Sequence, residues 1–184
     1  TLDWLCANGV AFDRAYSQSQ ICTPARASFL TGRYPASHHV YRNGNAYFPA
    51  HEKLVTRLFA DAGYDCGLVG KLHLTAAKYY EERPDDGYRS FLWSHHPHPD
   101  FTRGHDYETW LRSEKNVDPV ELYAPHNHFC GPGVAAEYHQ TTWVSEMAIR
   151  FINEKRDTPW LLSLNPFDPH APFDAPPEYL AKLD

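Results

Sequence analysis

The sequence of 184 residues lacks three features that mark common classes of protein. Its four cysteines are too few for a disulfide scaffold of this length. Positive charge is not in excess, since the net charge is −6 with histidine counted neutral, and this argues against binding to a nucleic-acid backbone. No apolar run approaches the roughly 20 residues that cross a bilayer, so the sequence predicts no membrane span.

The sequence does have enough apolar residues for a core, and it is rich in histidine. Hydrophobic residues make up 42% of the chain, which excludes general disorder, and the length suits one domain, 1–184. Seven of the twelve histidines fall between positions 95 and 139, in a stretch that also carries many prolines and aromatics. We therefore predict a loop-rich insert over 78–135, and ordered loops of that length are often functional.

Helical patterns alternate with short apolar strands along the chain. The predicted helices lie near 2–6, 25–30, 54–62 and 143–152, with a last one opening at 176–177, and the predicted strands lie at 10–16, 64–69 and 160–164. This alternation predicts an α/β fold with a mostly parallel central sheet and helices on both faces. No internal repeat is present.

Each predicted strand leads into polar residues that are unusual at such a place. The first strand leads to Cys22 and Arg26, the second to Lys71 and His73, and the third to His170. Ligands of open α/β sheets bind outside the carboxyl ends of the strands, so we expect these five side chains to share one rim.

The residue types on this rim are suited to a tetrahedral oxyanion. Cys22 opens a helix, where free backbone N–H groups favour an anion, and Arg26 lies one turn later on the same face. A lysine can bind an anionic oxygen, and a histidine can transfer a proton. Taken singly, each has an ordinary explanation: a buried cysteine, a solvated lysine or a packed histidine.

Three segments resemble the signatures of one known family. CTPARASFLTGR at 22–33 closely resembles the first signature of the type I sulfatases, which belong to the alkaline phosphatase superfamily; GYDCGLVGKLH at 63–73 resembles the second, and PHAP at 169–172 a later histidine motif. Residues 3–16 resemble the segment before the family's cysteine, and the likeness weakens across 78–135. The resemblance implies a sulfatase-like α/β fold, incomplete in this chain, and the activity of a sulfuric ester hydrolase.

The resemblance also implies a modified nucleophile at position 22. A maturation enzyme reads the Cys-x-Pro-x-Arg pattern and converts Cys22 to formylglycine, an aldehyde carried as its hydrate. One hydroxyl of the hydrate then attacks the sulfur of a sulfate monoester and displaces the alcohol, and the second loses its proton so that sulfate is expelled. The substrate, whether an aryl sulfate, a glycan sulfate or an alkyl sulfate, stays open.

Carried over from the family, the other rim residues receive separate roles. Arg26 would orient and stabilise the hydrate, and Lys71 would bind a sulfate oxygen. His73 would help to deprotonate the hydrate for sulfate release, and His170 would protonate or bind the leaving oxygen. Asn43, in the loop after the helix, would make a polar contact to the nucleophile or the substrate.

The family's divalent cation, usually calcium, would touch position 22 as well. Its other ligands in the family lie before the counterpart of Thr1 and beyond that of Asp184, so we expect this chain to be an internal piece of a longer enzyme, a partial catalytic domain. Calcium takes six to eight oxygen ligands. We therefore expect the isolated segment to bind metal poorly and to hydrolyse nothing.

Two other functions stay open beside sulfate ester hydrolysis. One is a phosphonate or phosphodiester hydrolase that uses the same aldehyde, although such relatives tend to replace the counterparts of Lys71 and His73. The other is a non-catalytic relative that binds a sulfated glycan, which the presence of Cys22 and Arg26 disfavours.

The histidine cluster, His95, His96 and His98, fits no common zinc spacing. It favours a structural loop or one that faces the substrate. In the second case, its histidines and nearby aromatic side chains would contact a sugar or an aryl group, the aromatics being Phe91, Trp93, Tyr107 and Trp110.

Overall fold

The computed structural model describes residues 1–81, 85–99, 104–126 and 129–182. In chain order, the elements are α1 (Leu2–Asn8), α2 (Cys22–Thr31), α3 (Pro35–His38), α4 (Val55–Asp61), β1 (Asp65–Gly70), β2 (Tyr88–Trp93), α5 (Asp106–Ser113), α6 (Pro119–Tyr123), α7 (Gln140–Asn153), β3 (Trp160–Asn165) and α8 (Pro177–Leu180). The expected helices near 2–6, 25–30, 54–62, 143–152 and 177 and the strands near 64–69 and 160–164 are therefore confirmed.

The three strands form a parallel sheet in the order β2-β1-β3. Gly70, the last residue of β1, pairs with Trp93 on one side and Asn165 on the other, so all three strands end at the same edge. Parallel pairing needs a crossover connection. The helices α5, α6 and α7 lie between β2 and β3, whereas the described residues between β1 and β2 form a loop. The predicted α/β class with a mostly parallel sheet is confirmed.

The two faces of the sheet are covered by two separate apolar cores. Successive residues of a strand point to opposite faces, so Leu68 packs in one core and Val69 in the other. The first core includes Leu30 of α2, and the second includes Trp143 of α7. Helices therefore lie on both faces, and the edge where the strands end is left for the polar loops.

Two expectations about the strands are wrong. Residues 10–16 form no strand: Val10, Phe12 and Tyr16 are all about four-fifths exposed, and a β pattern without a partner strand has no ladder to join. The apolar run at 160–164 predicts a buried strand. The strand forms, but Trp160 and Leu164 are 43% and 50% exposed, because β3 is an edge strand of the described sheet.

The segment 78–135 is more regular than a loop-rich insert. It contains β2, which pairs with β1 along most of its length, and the helices α5 and α6. Its boundaries as an insert stay a prediction. Among the residues described, no helix has the length and apolarity needed to cross a membrane.

Candidate active site

The first element of the site is the start of α2. Cys22 is the first helical residue, half-buried and unpaired with another cysteine. The residue before it is Ile21, whose side chain cannot cap the helix. Asn43 acts as the cap instead, since its Oδ1 accepts a hydrogen bond of 2.9 Å from the backbone N–H of Thr23. This hydrogen bond fixes the loop of Asn43 beside Cys22.

Arg26 joins α2 to the loop after β1. Its Nη1 donates a hydrogen bond of 2.8 Å to the carbonyl oxygen of Lys71. Burial lowers the pKa of the guanidinium, while negative charge at Cys22 and Glu81 acts in the opposite direction. The arginine remains a fixed cation behind the half-buried cysteine.

The loop after β1 turns sharply because Gly70 requires it. Gly70 has a φ of +105°, and a Cβ at this position would overlap the backbone carbonyl of Asn165 in β3. The backbone of the next residue is also fixed there, because the N–H of Lys71 donates a hydrogen bond of 2.9 Å to the same carbonyl of Asn165. The glycine before the lysine is therefore needed for the close approach of two strand ends.

Lys71 is a buried lysine, 3% exposed. Its Nζ lies 5.1 Å from the centre of the Phe167 ring, a cation–π distance. Burial, and next the positive charge of Arg26, lower the pKa of Lys71 to about 8. At neutral pH the side chain is a poorly hydrated cation and therefore a strong potential partner for an anionic oxygen.

His73 is held in a backbone conformation that is uncommon for a side chain larger than glycine. Its φ is +59°, and its ring is buried with the Nδ1 atom without a hydrogen-bond partner among the described residues. Burial, followed by the charges of Lys71 and Arg26, lowers the pKa of His73 to about 3. The imidazole is therefore neutral near pH 7 and able to accept a proton.

His170 reaches the site from the loop after β3. Its Nδ1 donates to the carbonyl oxygen of Ala171 at 2.7 Å, which leaves Nε2 free for other contacts, and its ring packs 4.7 Å from that of Phe167. The ring of Phe167, 9% exposed, thus contacts both Lys71 and His170. Sequence reasoning missed Phe167, which lies two residues before the PHAP motif at 169–172.

These side chains line one open cavity of about 790 Å³. Five of the six predicted site residues border it: Cys22, Asn43, Lys71, His73 and His170. The sixth, Arg26, lies behind the wall. Among the described residues of the lining there is no aspartate or glutamate, so the cavity of this acidic chain is bordered by cations and imidazoles.

The histidine cluster also faces this cavity. His95, His96 and His98 belong to its lining, and the ring of His95 meets that of His73 edge to face, with centroids 4.3 Å apart. The expectation that nearby aromatics would face the substrate is wrong, because Trp93, Tyr107 and Trp110 are buried in the two cores and Phe91 packs against the first.

The buried histidines predict a loss of stability in mild acid. The pKa values of His73, His95 and His105 are lowered, mainly by burial, to about 3, 2 and 4. Between pH 6.5 and 5 the unfolded chain binds protons that the folded chain does not, so the free energy of unfolding decreases as pH falls, by on the order of 5 kcal/mol. Denaturant titrations at several pH values measure this slope.

Two variants test whether the buried histidines cause this dependence of the unfolding free energy on pH. His95→Gln removes one of the three groups, and we expect it to flatten the dependence by about one third. The control, Ile149→Gln, changes an exposed side chain that does not titrate and is expected to leave the slope as it is. An unfolding free energy that stays constant from pH 6.5 to 5 would contradict the account.

Comparison with known proteins gives one consistent result. A sequence profile described as Sulfatase matches residues 1–183. The chain is 28% identical to an arylsulfatase of Clostridium perfringens, covering 97% of this chain and 39% of that protein, and 28% identical to an ulvan-active sulfatase of Formosa agariphila, covering 96% and 32%. The chain thus spans less than two fifths of the length of these relatives.

A solved structure shares the fold. The phosphonate monoester hydrolase of Agrobacterium radiobacter superimposes with a TM-score of 0.72 at 24% identity, over 97% of this chain and 37% of that one. The chain therefore shares its fold with a part of that structure.

Proposed function

The chain belongs to the sulfatase family, and from that premise we propose that the protein hydrolyses a sulfate monoester by means of a formylglycine made from Cys22. One observation carries the proposal: the loops after β1 and β3 and the start of α2 bring Lys71, His73, His170 and Cys22 to one cavity. Formylglycine supplies a nucleophilic hydroxyl at that place and an internal route for expelling sulfate.

The cationic side chains account for binding and charge stabilisation. The ammonium of Lys71 binds a sulfate oxygen, and its burial strengthens that attraction because little water screens it. Arg26 stabilises negative charge at position 22 from behind the helix start. Each oxyanion contact of this kind contributes on the order of 3 kcal/mol in the transition state.

The two histidines account for proton transfer. His73 is neutral at pH 7, because burial lowers its pKa to about 3, so a ring nitrogen is available for the proton whose loss expels sulfate. The negative charge of a sulfate group bound beside it would act against that lowering and make the imidazole a better base. His170 is fixed by the hydrogen bond from its Nδ1 to the carbonyl of Ala171, and when the ring is doubly protonated its Nε2–H binds the leaving oxygen and transfers a proton to it. Asn43 serves by holding its loop against α2 and so shapes the cavity beside position 22.

The described residues do not form a calcium site. Calcium takes six to eight oxygen ligands, whereas the cavity around Cys22 is bordered by nitrogen-bearing and apolar side chains. Within the described ranges, no group of three or more histidine, cysteine, aspartate or glutamate residues is placed to hold a metal ion. No step of the proposed reaction is therefore routed through calcium.

Matched esters test the proposal against its alternatives. The complete protein that carries this chain is assayed with 4-nitrophenyl sulfate and with a 4-nitrophenyl phosphonate monoester. We expect kcat/KM to be at least about a hundredfold higher for the sulfate. A higher value for the phosphonate would favour the alternative hydrolase, and binding of a sulfated saccharide without turnover of either ester would favour a non-catalytic binder.

The buried lysine predicts an alkaline limit to activity. Because the pKa of Lys71 is about 8, the cation that binds sulfate is lost as pH rises through that value, and kcat/KM decreases above it by about tenfold per pH unit. Besides burial, the charge of Arg26 lowers this pKa and the charge of Glu81 raises it. The charge of Cys22 also raises it, but that contribution is lost when position 22 becomes formylglycine. Initial rates from pH 6 to 10 measure this decrease in kcat/KM.

The matched variant Lys71→Arg tests whether Lys71 causes the decrease of kcat/KM at alkaline pH. A guanidinium stays protonated throughout the range, so the variant is expected to keep part of the activity and to lose the decrease near pH 8. If wild type and Lys71→Arg decline at the same pH, Lys71 is not the group that titrates.

A further inference from the structure

A buried carboxylate lies directly behind the site without reaching the cavity. Glu81 is 2% exposed and is absent from the described lining of the cavity. Its Oε2 accepts hydrogen bonds from the backbone N–H of His73 at 2.5 Å and from Trp93 Nε1 at 3.1 Å. Its Oε1 accepts from the backbone N–H groups of Leu74 and Thr75 at 2.5 and 2.9 Å.

Most of the hydrogen bonds to Glu81 come from one loop, the loop after β1. Three consecutive backbone N–H groups, those of residues 73–75, converge on one carboxylate, and a fourth donor comes from the last residue of β2. Burying a carboxylate carries a large desolvation penalty, which such a set of charge-assisted hydrogen bonds offsets. Glu81 therefore ties the loop after β1 to the end of β2.

One of the hydrogen bonds to Glu81 comes from His73, the residue of this loop with a strained backbone conformation. His73 has its left-handed φ of +59° at the point where Glu81 binds its N–H. For a residue with a side chain, that conformation costs about 1–2 kcal/mol and persists only where the surroundings impose it. The hydrogen bond from the N–H of His73 to Glu81 is compatible with this conformation, in which the His73 ring lies at the cavity against His95.

The charge of Glu81 also acts on the cationic side of the site. It is one of the two negative charges that favour the protonated forms of both Arg26 and Lys71. A single carboxylate thus fixes the backbone of the proposed base and supports the proposed sulfate-binding cations, with no contact to the cavity itself.

We propose that Glu81 is a positioning residue for the reaction: its carboxylate clamps the backbone of residues 73–75 and thereby holds His73 in place for proton transfer. This inference rests on the proposed function, since it assigns a purpose to the position of His73. Glu81 acts through His73 and touches no reacting atom.

The test is Glu81→Gln in the complete protein, assayed with 4-nitrophenyl sulfate. An amide of the same shape replaces one acceptor oxygen by a donor that opposes the loop N–H groups, so the loop loses its clamp. At pH 6, where Lys71 stays protonated, we expect kcat per folded molecule to decrease about 10- to 100-fold while KM changes by less than about threefold, because proton transfer and not sulfate binding is affected at that pH.

The matched control is Glu52→Gln. Glu52 is also a buried carboxylate, but it pairs with Arg33 and His51 and is not bound to the loop after β1. We expect it to lower the melting temperature and to leave kcat per folded molecule within about twofold of wild type. An equal loss of kcat in both variants would show that any buried charge gives the effect, and would overturn the proposal.

A double-mutant cycle with His73→Ala shows through which residue Glu81 acts. If the effect passes through His73, Glu81→Gln lowers the residual activity of His73→Ala by less than about twofold. The same loss in both backgrounds would overturn the proposal, as would an unchanged kcat in Glu81→Gln alone. If Glu81→Gln does not fold, Glu81→Asp, which keeps the charge and shortens the side chain, is required to show a smaller loss of kcat in the same direction.

Failure of this proposal is distinguishable from failure of the proposed function. If His73→Ala retains the full rate of sulfate ester hydrolysis, the role of His73 itself is wrong. If His73→Ala is impaired and Glu81→Gln is not, only the positioning role is wrong.

Discussion

Replacing Cys22 by alanine is expected to lower kcat for a sulfate ester by at least about a thousandfold in the complete protein, because the variant removes the only precursor of the proposed nucleophile. Alanine is a good helix former and Cys22 is half-buried at the first position of α2, so the melting temperature is expected to stay within a few degrees of wild type. Steady-state kinetics and a thermal melt separate the two effects.

The control for Cys22 is Cys6→Ala. Cys6 is an exposed, free cysteine on α1 and is not part of the cavity lining. The same change of side chain at that place is expected to leave kcat within about twofold. If Cys22→Ala retains a tenth or more of the wild-type rate, position 22 does not supply the nucleophile.

Replacing Arg26 by alanine is expected to reduce both activity and stability. The variant removes a fixed positive charge next to position 22, which lowers kcat about a hundredfold or more. It also leaves the carbonyl oxygen of Lys71 without its 2.8 Å hydrogen bond, which lowers the free energy of unfolding by about 1–3 kcal/mol. Kinetics and denaturant titrations measure the two losses in the same preparation.

The surface residue Arg57 provides the control for Arg26→Ala. It forms an exposed ion pair with Asp61 one turn later in α4, and such pairs contribute about 0.3–0.5 kcal/mol. Arg57→Ala is therefore expected to change stability slightly and kcat not at all. Arg26→Ala would contradict the account if it lowered stability but left kcat within a few fold of wild type.

The arrangement of the rim was predictable because it follows from parallel strands. Once β1 and β3 are recognised as short apolar strands of one sheet, their following residues must meet at one edge, and Lys71, His73 and His170 do so. Three motifs in the order found in sulfatases gave the resemblance to that family. The roles of these residues in a reaction stay predictions.

The parts that sequence reasoning missed depend on contacts between distant segments. Glu81 stands in a polar stretch next to Glu82 and Arg83 and has the sequence pattern of a solvated charge. Its burial follows from hydrogen bonds to the backbone of residues 73–75 and to Trp93 at the end of β2, which the sequence does not reveal. The strand β2 was missed for a similar reason, since its place in the sheet comes from pairing with β1 and not from a strong pattern of its own.

The central claim concerns the chemical state of position 22. Tryptic cleavage after Arg14 and Arg26 releases the peptide 15–26, which contains Cys22 as its single cysteine. In protein expressed in a host with the maturation enzyme, mass spectrometry is expected to show this peptide about 18 Da lighter than the cysteine form, as conversion of the thiol to an aldehyde requires. An unmodified thiol in protein that still hydrolyses sulfate esters would contradict the account.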